Sequence, residues 1–321
     1  MNDKGSTTEK SLVLGSAQNR LLPPYFHPFR WPSRVDGGGQ QQNCTDTAAA
    51  DQATFQTALS VRQSGTFHNY AKDAIQLFIT VQKLPLAIDK NADQVAVVVD
   101  VLRATSVIAT ALDQGAKEVI ACVEIEDARR IAAGLSPNRL LCGERRCLPI
   151  SGFDLGNSPR DYTRSVVQGR QLIMTTTNGT AALAAARGAR QVLAAAFVNL
   201  SAVARYVSQE RQVTIVCAGT DGQETDEDFL FAGALIARIA EWNQAVTLGS
   251  EAVEAVDAWQ AFLDEGISLA SKLSRSRGGR NLVQAGYLGD IDVCASVDSM
   301  TAVPVMVASD PITLMESRAM A

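Results

Sequence analysis

The chain has 321 residues, 46% of them hydrophobic, and a formal net charge of −5. That length holds one large or two ordinary domains with a full core, and the acidic balance argues against recruiting nucleic acid or an anionic membrane through bulk electrostatics. No apolar run reaches the roughly 18–20 residues needed to span a bilayer, and the start at Met1 carries no secretory pattern, so a cytoplasmic protein is expected.

Residues 1–71 read as a disordered or low-complexity extension. Leu22-Pro-Pro-Tyr-Phe-His-Pro-Phe-Arg-Trp-Pro32 and Gly37-Gly-Gly-Gln-Gln-Gln42 cannot bury enough apolar surface to offset chain entropy. The Tyr25–Trp31 stretch is a minor candidate for an aromatic docking motif. From 72 to 321 the pattern is α/β. Strands are expected at Ile75–Val81, Val95–Val99, Glu118–Val123, Leu140–Cys142, Gln171–Met174, Gln191–Ala196 and Val213–Cys217. Helices are expected at Ala104–Gln114, Ile125–Ala133, Ala181–Arg187, Leu200–Ser208 and Phe229–Trp242. This alternation predicts a doubly wound, mostly parallel sheet with helices on both faces, in one domain, its strand order open. Ligands of such sheets bind beyond the carboxyl ends of the strands. After Ala255 come helix, a basic Arg275–Arg280 loop and a tail.

Two glycine-and-threonine turns stand out: Thr175-Thr176-Thr177-Asn178-Gly179-Thr180 and Cys217-Ala-Gly219-Thr220-Asp221-Gly222. Each follows an apolar run and opens a helical stretch. Free amides at a helix N-terminus favour an anion, and phosphate is the first hypothesis.

The histidines, His27 and His68, both fall in the extension. Their position argues against a Ser-His-Asp triad, a phosphohistidine and a histidine-held zinc. No cysteine-based phosphate loop and no Walker sequence occur. The six cysteines form no C-x-x-C pair and are expected as buried, reduced thiols. Carboxylates, arginines, hydroxyls and amides remain, the parts of a Mg²⁺-dependent phosphate enzyme. Asp290-Ile-Asp292-Val-Cys294 superficially resembles an aspartyl-phosphatase motif, but leaves too little chain after it for that fold.

The carboxylates fall at expected strand ends. Asp100 could hold a hard cation or act as nucleophile, with Arg103 on a phosphate oxygen; otherwise Asp100 caps a helix and pairs with Arg103. Two acids, Glu144 and Asp154, two arginines, Arg145 and Arg146, and the Asn157-Ser158-Pro159 turn crowd one mostly loop segment. Among Asp221–Asp228 most acids read as helix-terminal charges, with one or two as Mg²⁺ ligands. Arg275, Arg277 and Arg280 are expected at the surface, with the alternative that one reads a second anionic group.

Taken together, Val99-Asp100-Val-Leu-Arg103-Ala-Thr105-Ser106, Cys142-Gly143-Glu144-Arg145, Gly152-Phe-Asp154-Leu-Gly-Asn157-Ser158-Pro159, Thr175–Thr180 and Cys217–Thr220 with Glu227-Asp228 resemble the 2-phosphosulfolactate phosphatase (ComB) family over roughly 75–310. Cys142 stands where the family often has a glycine, and Arg146-Cys147 where it more usually has a small or basic pair. The resemblance implies a Mg²⁺-dependent phosphatase converting 2-phospho-3-sulfolactate to 3-sulfolactate, a step that can feed coenzyme M synthesis. On this reading Asp100, Arg103, Glu144, Arg145 and Asp154 are catalytic, and Asp100, Glu144, Glu227 and Asp228 hold the metal. Thr105, Asn157, Ser158, Thr177, Asn178, Gly179, Thr180, Gly219 and Thr220 bind substrate. The lack of a histidine in the apparent core predicts a slightly acidic pH optimum, and a homodimer is expected from what is common among cytosolic enzymes. Two alternatives stay open: a Mg²⁺-dependent lyase or isomerase of a phosphorylated hydroxy acid, and a non-catalytic phosphometabolite-binding protein.

Overall fold

The computed structural model describes residues 20–21, 75–83, 88, 92–135, 137–220, 223 and 225–317. Of the extension expected over 1–71, all but Arg20 and Leu21 lie outside them, including Cys44, both histidines and the Tyr25–Trp31 stretch.

In chain order the strands are β1 (Arg20–Leu21), β2 (Leu77–Lys83), β3 (Ala92–Val99), β4 (Glu118–Ala121), β5 (Arg139–Arg145), β6 (Leu148–Pro149), β7 (Gln171–Thr175), β8 (Ala189–Ala195), β9 (Gln212–Cys217), β10 (Val246–Leu248), β11 (Pro304–Ser309) and β12 (Ile312–Glu316). The helices are α1 (Ala104–Asp113), α2 (Ile125–Ala133), α3 (Arg164–Val167), α4 (Gly179–Ala186), α5 (Leu200–Val207), α6 (Asp226–Trp242), α7 (Ser250–Glu265), α8 (Leu269–Arg275), α9 (Arg277–Gln284) and α10 (Leu288–Cys294).

The α/β class holds. The sheet runs β1-β10-β2-β9-β3-β8-β11-β12-β4-β7-β5-β6. Along β3 the apolar run serves both faces. Val95, Val97 and Val99 enter one core cluster, and Ala96 and Val98 the other. A strand buried on both sides must be continuously apolar, which is why Val95–Val99 shows no polar alternation.

Two parallel blocks, β10-β2-β9-β3-β8 and β4-β7-β5, flank the antiparallel hairpin β11–β12. The chain after Ala255 is therefore more than a tail: its last two strands fill the centre of the sheet. Because β8-β11, β11-β12 and β12-β4 all pair antiparallel, the second block starts out opposed to the first. Neighbouring strands twist by roughly 20–25°. Over the five steps from β3 to β7 that amounts to on the order of 100°, turning the carboxyl ends of both blocks toward one site.

The basic stretch expected as a loop at Arg275–Arg280 is helical instead. Ser276 divides α8 from α9, and its hydroxyl accepts the Gly279 amide at 3.1 Å. One capping serine turns the chain between two short helices, and Arg275 and Arg280 stay exposed. The five described cysteines are free thiols. Cys122, Cys142 and Cys294 are buried, and burial pushes them up to about 11, about 12 and about 12.

Candidate active site

Asp100 directly follows β3, and α1 begins four residues later. The Ala104 amide donates to Oδ1 of Asp100 at 3.2 Å. Thr105 grips the aspartate's backbone, its hydroxyl donating to the carbonyl at 2.9 Å and accepting the amide at 3.0 Å. Oδ2 has no hydrogen-bond partner among the described residues. Burial raises the Asp100 carboxyl to about 7, with Glu144 and Glu227 adding repulsion against the opposing pull of the Ala104 amide and Arg103. Arg103 forms its ion pair elsewhere. Its Nη1 donates to Asp290 Oδ2 at 2.6 Å and its Nη2 to the Cys147 carbonyl at 3.0 Å, while the guanidinium lies 4.4 Å from the Tyr287 ring centroid. Ser158 donates to the other Asp290 oxygen at 2.7 Å. Asp290 thus ties Arg103 to the Asn157-Ser158 turn.

Glu144, at the end of β5, accepts the Thr177 amide on Oε1 and the Cys147 amide on Oε2, both at 2.8 Å. Its two oxygens bridge the β5–β6 turn to the β7–α4 turn. Arg145 points differently, to the Val123 carbonyl and the Thr175 hydroxyl, both at 2.9 Å. Asp154 accepts the Leu141 amide at 2.8 Å.

The threonine turn closes on itself. Thr180 N–H donates to the Thr176 hydroxyl at 3.1 Å, and the Thr180 hydroxyl to the Thr176 carbonyl at 2.9 Å. At Gly179 a side chain has no room: a Cβ there would press on Ala104 and lie 2.8 Å from Asp100 Oδ2. The N-termini of α1 and α4 therefore converge on one carboxylate, α1 at Oδ1 and α4 beside Oδ2.

Beyond β9, Asp228 accepts the Val101 amide at 2.9 Å and the Gly219 amide at 3.0 Å. Both its oxygens clamp backbone, and burial first, then Asp100 and Glu227, holds it well above the usual carboxylate range. Glu227 is also raised, chiefly by burial, although its own amide, the Ser276 hydroxyl and the Gly278 amide pull it down. Its Oε2 is buried without a hydrogen-bond partner. Glu227 lies behind α9, where a Cβ at Gly278 would collide with its Oε1.

These elements enclose a cavity of about 550 Å³. Of the residues expected from sequence, Asp100, Arg103, Glu144, Asn157, Thr177, Asn178 and Thr220 line it. Thr105, Ser158, Gly179, Thr180, Gly219 and Asp228 stand one layer back through the contacts above, as does Glu227. Arg145 and Asp154 do not line it, nor do Arg275, Arg277 or Arg280. The lining also includes Arg146, which the sequence reading counts in this loop but assigns no role, and residues to which it gives no place in the site: Cys147 and Leu148 from the β5–β6 turn, and Gly278, Asn281, Leu282 and Gln284 from α9. Asp290 was available in outline, since it shares the buried face of α10 with Ile291 and Cys294. An aspartate on an apolar helix face needs a partner.

Among the described residues, no three carboxylate, imidazole or thiol groups stand together as a ready cage for a metal ion. The oxygens of Glu144 and Asp228 are engaged by amides. Among the described residues, Oδ2 of Asp100 and Oε2 of Glu227 are the carboxylate oxygens near the cavity without a hydrogen-bond partner, and Asn157 Oδ1 is also buried and unbonded. Two unpartnered carboxylate oxygens suit a hard cation that takes one or two carboxylates and keeps several waters.

The sequence matches the 2-phosphosulpholactate phosphatase family over residues 79–309, and the chain belongs to that family. It is 36% identical over 214 residues to a probable 2-phosphosulfolactate phosphatase of Thermotoga petrophila, covering 66% of this chain and 88% of that protein. Identically described proteins of Symbiobacterium thermophilum and Parasynechococcus marenigrum are 39% and 40% identical, over 70% and 72% of this chain and 97% and 96% of theirs.

Proposed function

We propose that this member of the 2-phosphosulpholactate phosphatase family is a Mg²⁺-dependent phosphatase that hydrolyses 2-phospho-3-sulfolactate to 3-sulfolactate and phosphate. The observation that carries the reading is Asp100: a buried carboxylate at a strand end with one oxygen open, beside two helix N-termini and a fixed arginine.

Asp100 Oδ2 and Glu227 Oε2 are the atoms that would hold Mg²⁺. The ion, when bound, supplies positive charge against the phosphoryl oxygens. Asn178 and the first turn of α4 receive the phosphoryl group on the partial positive charge of the helix end. Arg103 adds a cation that is held in place before substrate arrives, since Asp290, the Cys147 carbonyl and the Tyr287 ring fix its guanidinium. Preorganised charge of this kind needs no rearrangement as the transition state forms. Asn157 lines the same space and carries a buried amide oxygen without a partner among the described residues, an acceptor for water or for the hydroxyl freed in the product.

Water adds to phosphorus, the P–O bond to the sulfolactate oxygen breaks, and that oxygen takes a proton. No histidine lies among the described residues to supply it. The proton comes from a carboxylic acid of the site or from water, which favours a mildly acidic optimum.

The test is phosphate release from 2-phosphosulfolactate followed with Mg²⁺ and with EDTA. Mg²⁺-dependent release supports the reading. A changed carbon skeleton without free phosphate would indicate a lyase or isomerase, and ligand binding without turnover a metabolite-binding protein.

A further inference from the structure

The two residues of the β5–β6 turn, Arg146 and Cys147, both adopt positive φ, 54° and 67°. With Arg145 paired to Leu148, they are the two central residues of a hairpin that glycine or asparagine would suit far better. The turn is held open in this shape from outside: Glu144 Oε2 accepts the Cys147 amide, and the Cys147 carbonyl accepts Arg103. Its geometry therefore serves the site. The Arg146 side chain does not serve the fold. It is exposed, it lines the cavity, and it makes no hydrogen bond or ion pair with the described residues. An unfavourable backbone conformation at a functional site points to a role for the residue that adopts it.

Charge narrows that role. Arg103, the other cation on the lining, is neutralised by Asp290 and buried with it. With Asp290 paired to Arg103, the carboxylates of Asp100, Glu144 and Glu227 leave the surroundings of the cavity acidic, so Mg²⁺, when bound, would be taken up in balancing them and the phosphoryl group. A substrate with a further strong acid then meets one uncommitted guanidinium among the described lining residues. We infer that Arg146, presented over the cavity by its left-handed turn, is the specificity residue that binds the sulfonate of the substrate. A planar guanidinium donates two parallel hydrogen bonds to such an oxyanion. This rests on the substrate class proposed above.

The experiment compares the full chain with Arg146→Gly and with Arg164→Gln, which removes an exposed arginine that does not line the cavity. Phosphate release is measured from 2-phosphosulfolactate and from 2-phospholactate, which lacks the sulfonate. Calorimetric binding of 3-sulfolactate serves as a readout independent of turnover. Glycine fits the positive φ at position 146, so Arg146→Gly should not lower the melting temperature. Arg146→Gly should raise KM for 2-phosphosulfolactate about tenfold, a loss of about 1.4 kcal/mol, with kcat nearly unchanged. It should weaken 3-sulfolactate binding by a similar factor and leave 2-phospholactate kinetics alone. Arg164→Gln should change none of these. Equal effects on both substrates, or none on either substrate or on 3-sulfolactate binding, would overturn the assignment. A wild-type protein that binds 3-sulfolactate without releasing phosphate, with Arg146→Gly binding it more weakly, would sink the catalytic reading and leave Arg146 in its role. Absence of 3-sulfolactate binding by the wild type would overturn it.

Discussion

The strand-end side of the cavity and its α9 side are built by different means. On the strand-end side, Asp100, Glu144 and Asp228 are buried, and backbone amides of neighbouring turns fix their oxygens. On the α9 side, Gly278, Asn281, Leu282 and Gln284 come from one short helix that Ser276 caps. The strand-end side concentrates charge and rigidity. The α9 side supplies neutral surface and close approach, with Gly278 lying against Glu227 because it has no side chain. Chemistry is therefore expected to fail when the first is altered, and fit when the second is.

The largest effect should come from Asp100→Asn. Phosphate release should fall on the order of 10³-fold, since an open charged oxygen is lost with little change of shape. In metal-free protein at pH 8 the same variant should melt no lower than wild type, because a neutral amide replaces a carboxylate that burial disfavours. Unchanged turnover would remove Asp100 from the chemistry.

Asp290→Asn comes next. It leaves the Arg103 guanidinium, 2% exposed, without its charge partner, which should cost about 3–5 kcal/mol of stability by denaturant unfolding. kcat should fall with it, because Arg103 loses its anchor. Retained stability would show that the Cys147 carbonyl and Tyr287 suffice.

On the α9 side, Gly278→Ala should cost about 1–3 kcal/mol through its clash with Glu227. It should weaken Mg²⁺ stabilisation more than it alters substrate KM. Asn281→Ala should change KM only a few-fold. Were Asn281→Ala to abolish kcat, the division between the two sides would be wrong.

The smallest effect is on melting temperature against pH. The Asp100 carboxyl titrates near 7 in the fold against an ordinary 3.8, so between those values the folded protein binds more protons than the unfolded chain. Stability of the metal-free protein should therefore fall as pH rises through that window, and Glu227 and Asp228 shift in the same direction. Melting should drop by about 5 °C between pH 5 and 7.5, and Mg²⁺ should restore more at pH 7.5, where protons no longer compete. A melting temperature that climbs over this range would contradict the burial of these acids as charges.

Legibility in the sequence follows the same division. Val95–Val99 and Val213–Cys217 announce buried strands by composition, and the acids and small residues after them announce the site. Each signal is local, so Asp100 and the Asn178-Gly179 turn could be read directly. Arg145 and Arg146 illustrate the limit. Arg145 ends β5 and Arg146 opens the turn after it; the site assignment from sequence took Arg145 of the pair, although its guanidinium turns to Val123 and Thr175 and the hairpin turn brings Arg146 to the cavity. Asp290 lies 187 residues from Arg103, and no local pattern joins them. The β11–β12 hairpin was hidden for the same reason: its strands read as a short apolar tail until they are seen filling the gap between β8 and β4.

The central claim is metal-assisted phosphate release at Asp100. It is tested most directly by following phosphate release from 2-phosphosulfolactate by the full chain, with Mg²⁺, with EDTA, and after Mg²⁺ is returned in excess. The account predicts turnover that EDTA abolishes and Mg²⁺ restores in wild type, with almost none in Asp100→Asn under any condition. Turnover that persists in EDTA, or that Asp100→Asn retains, would contradict it.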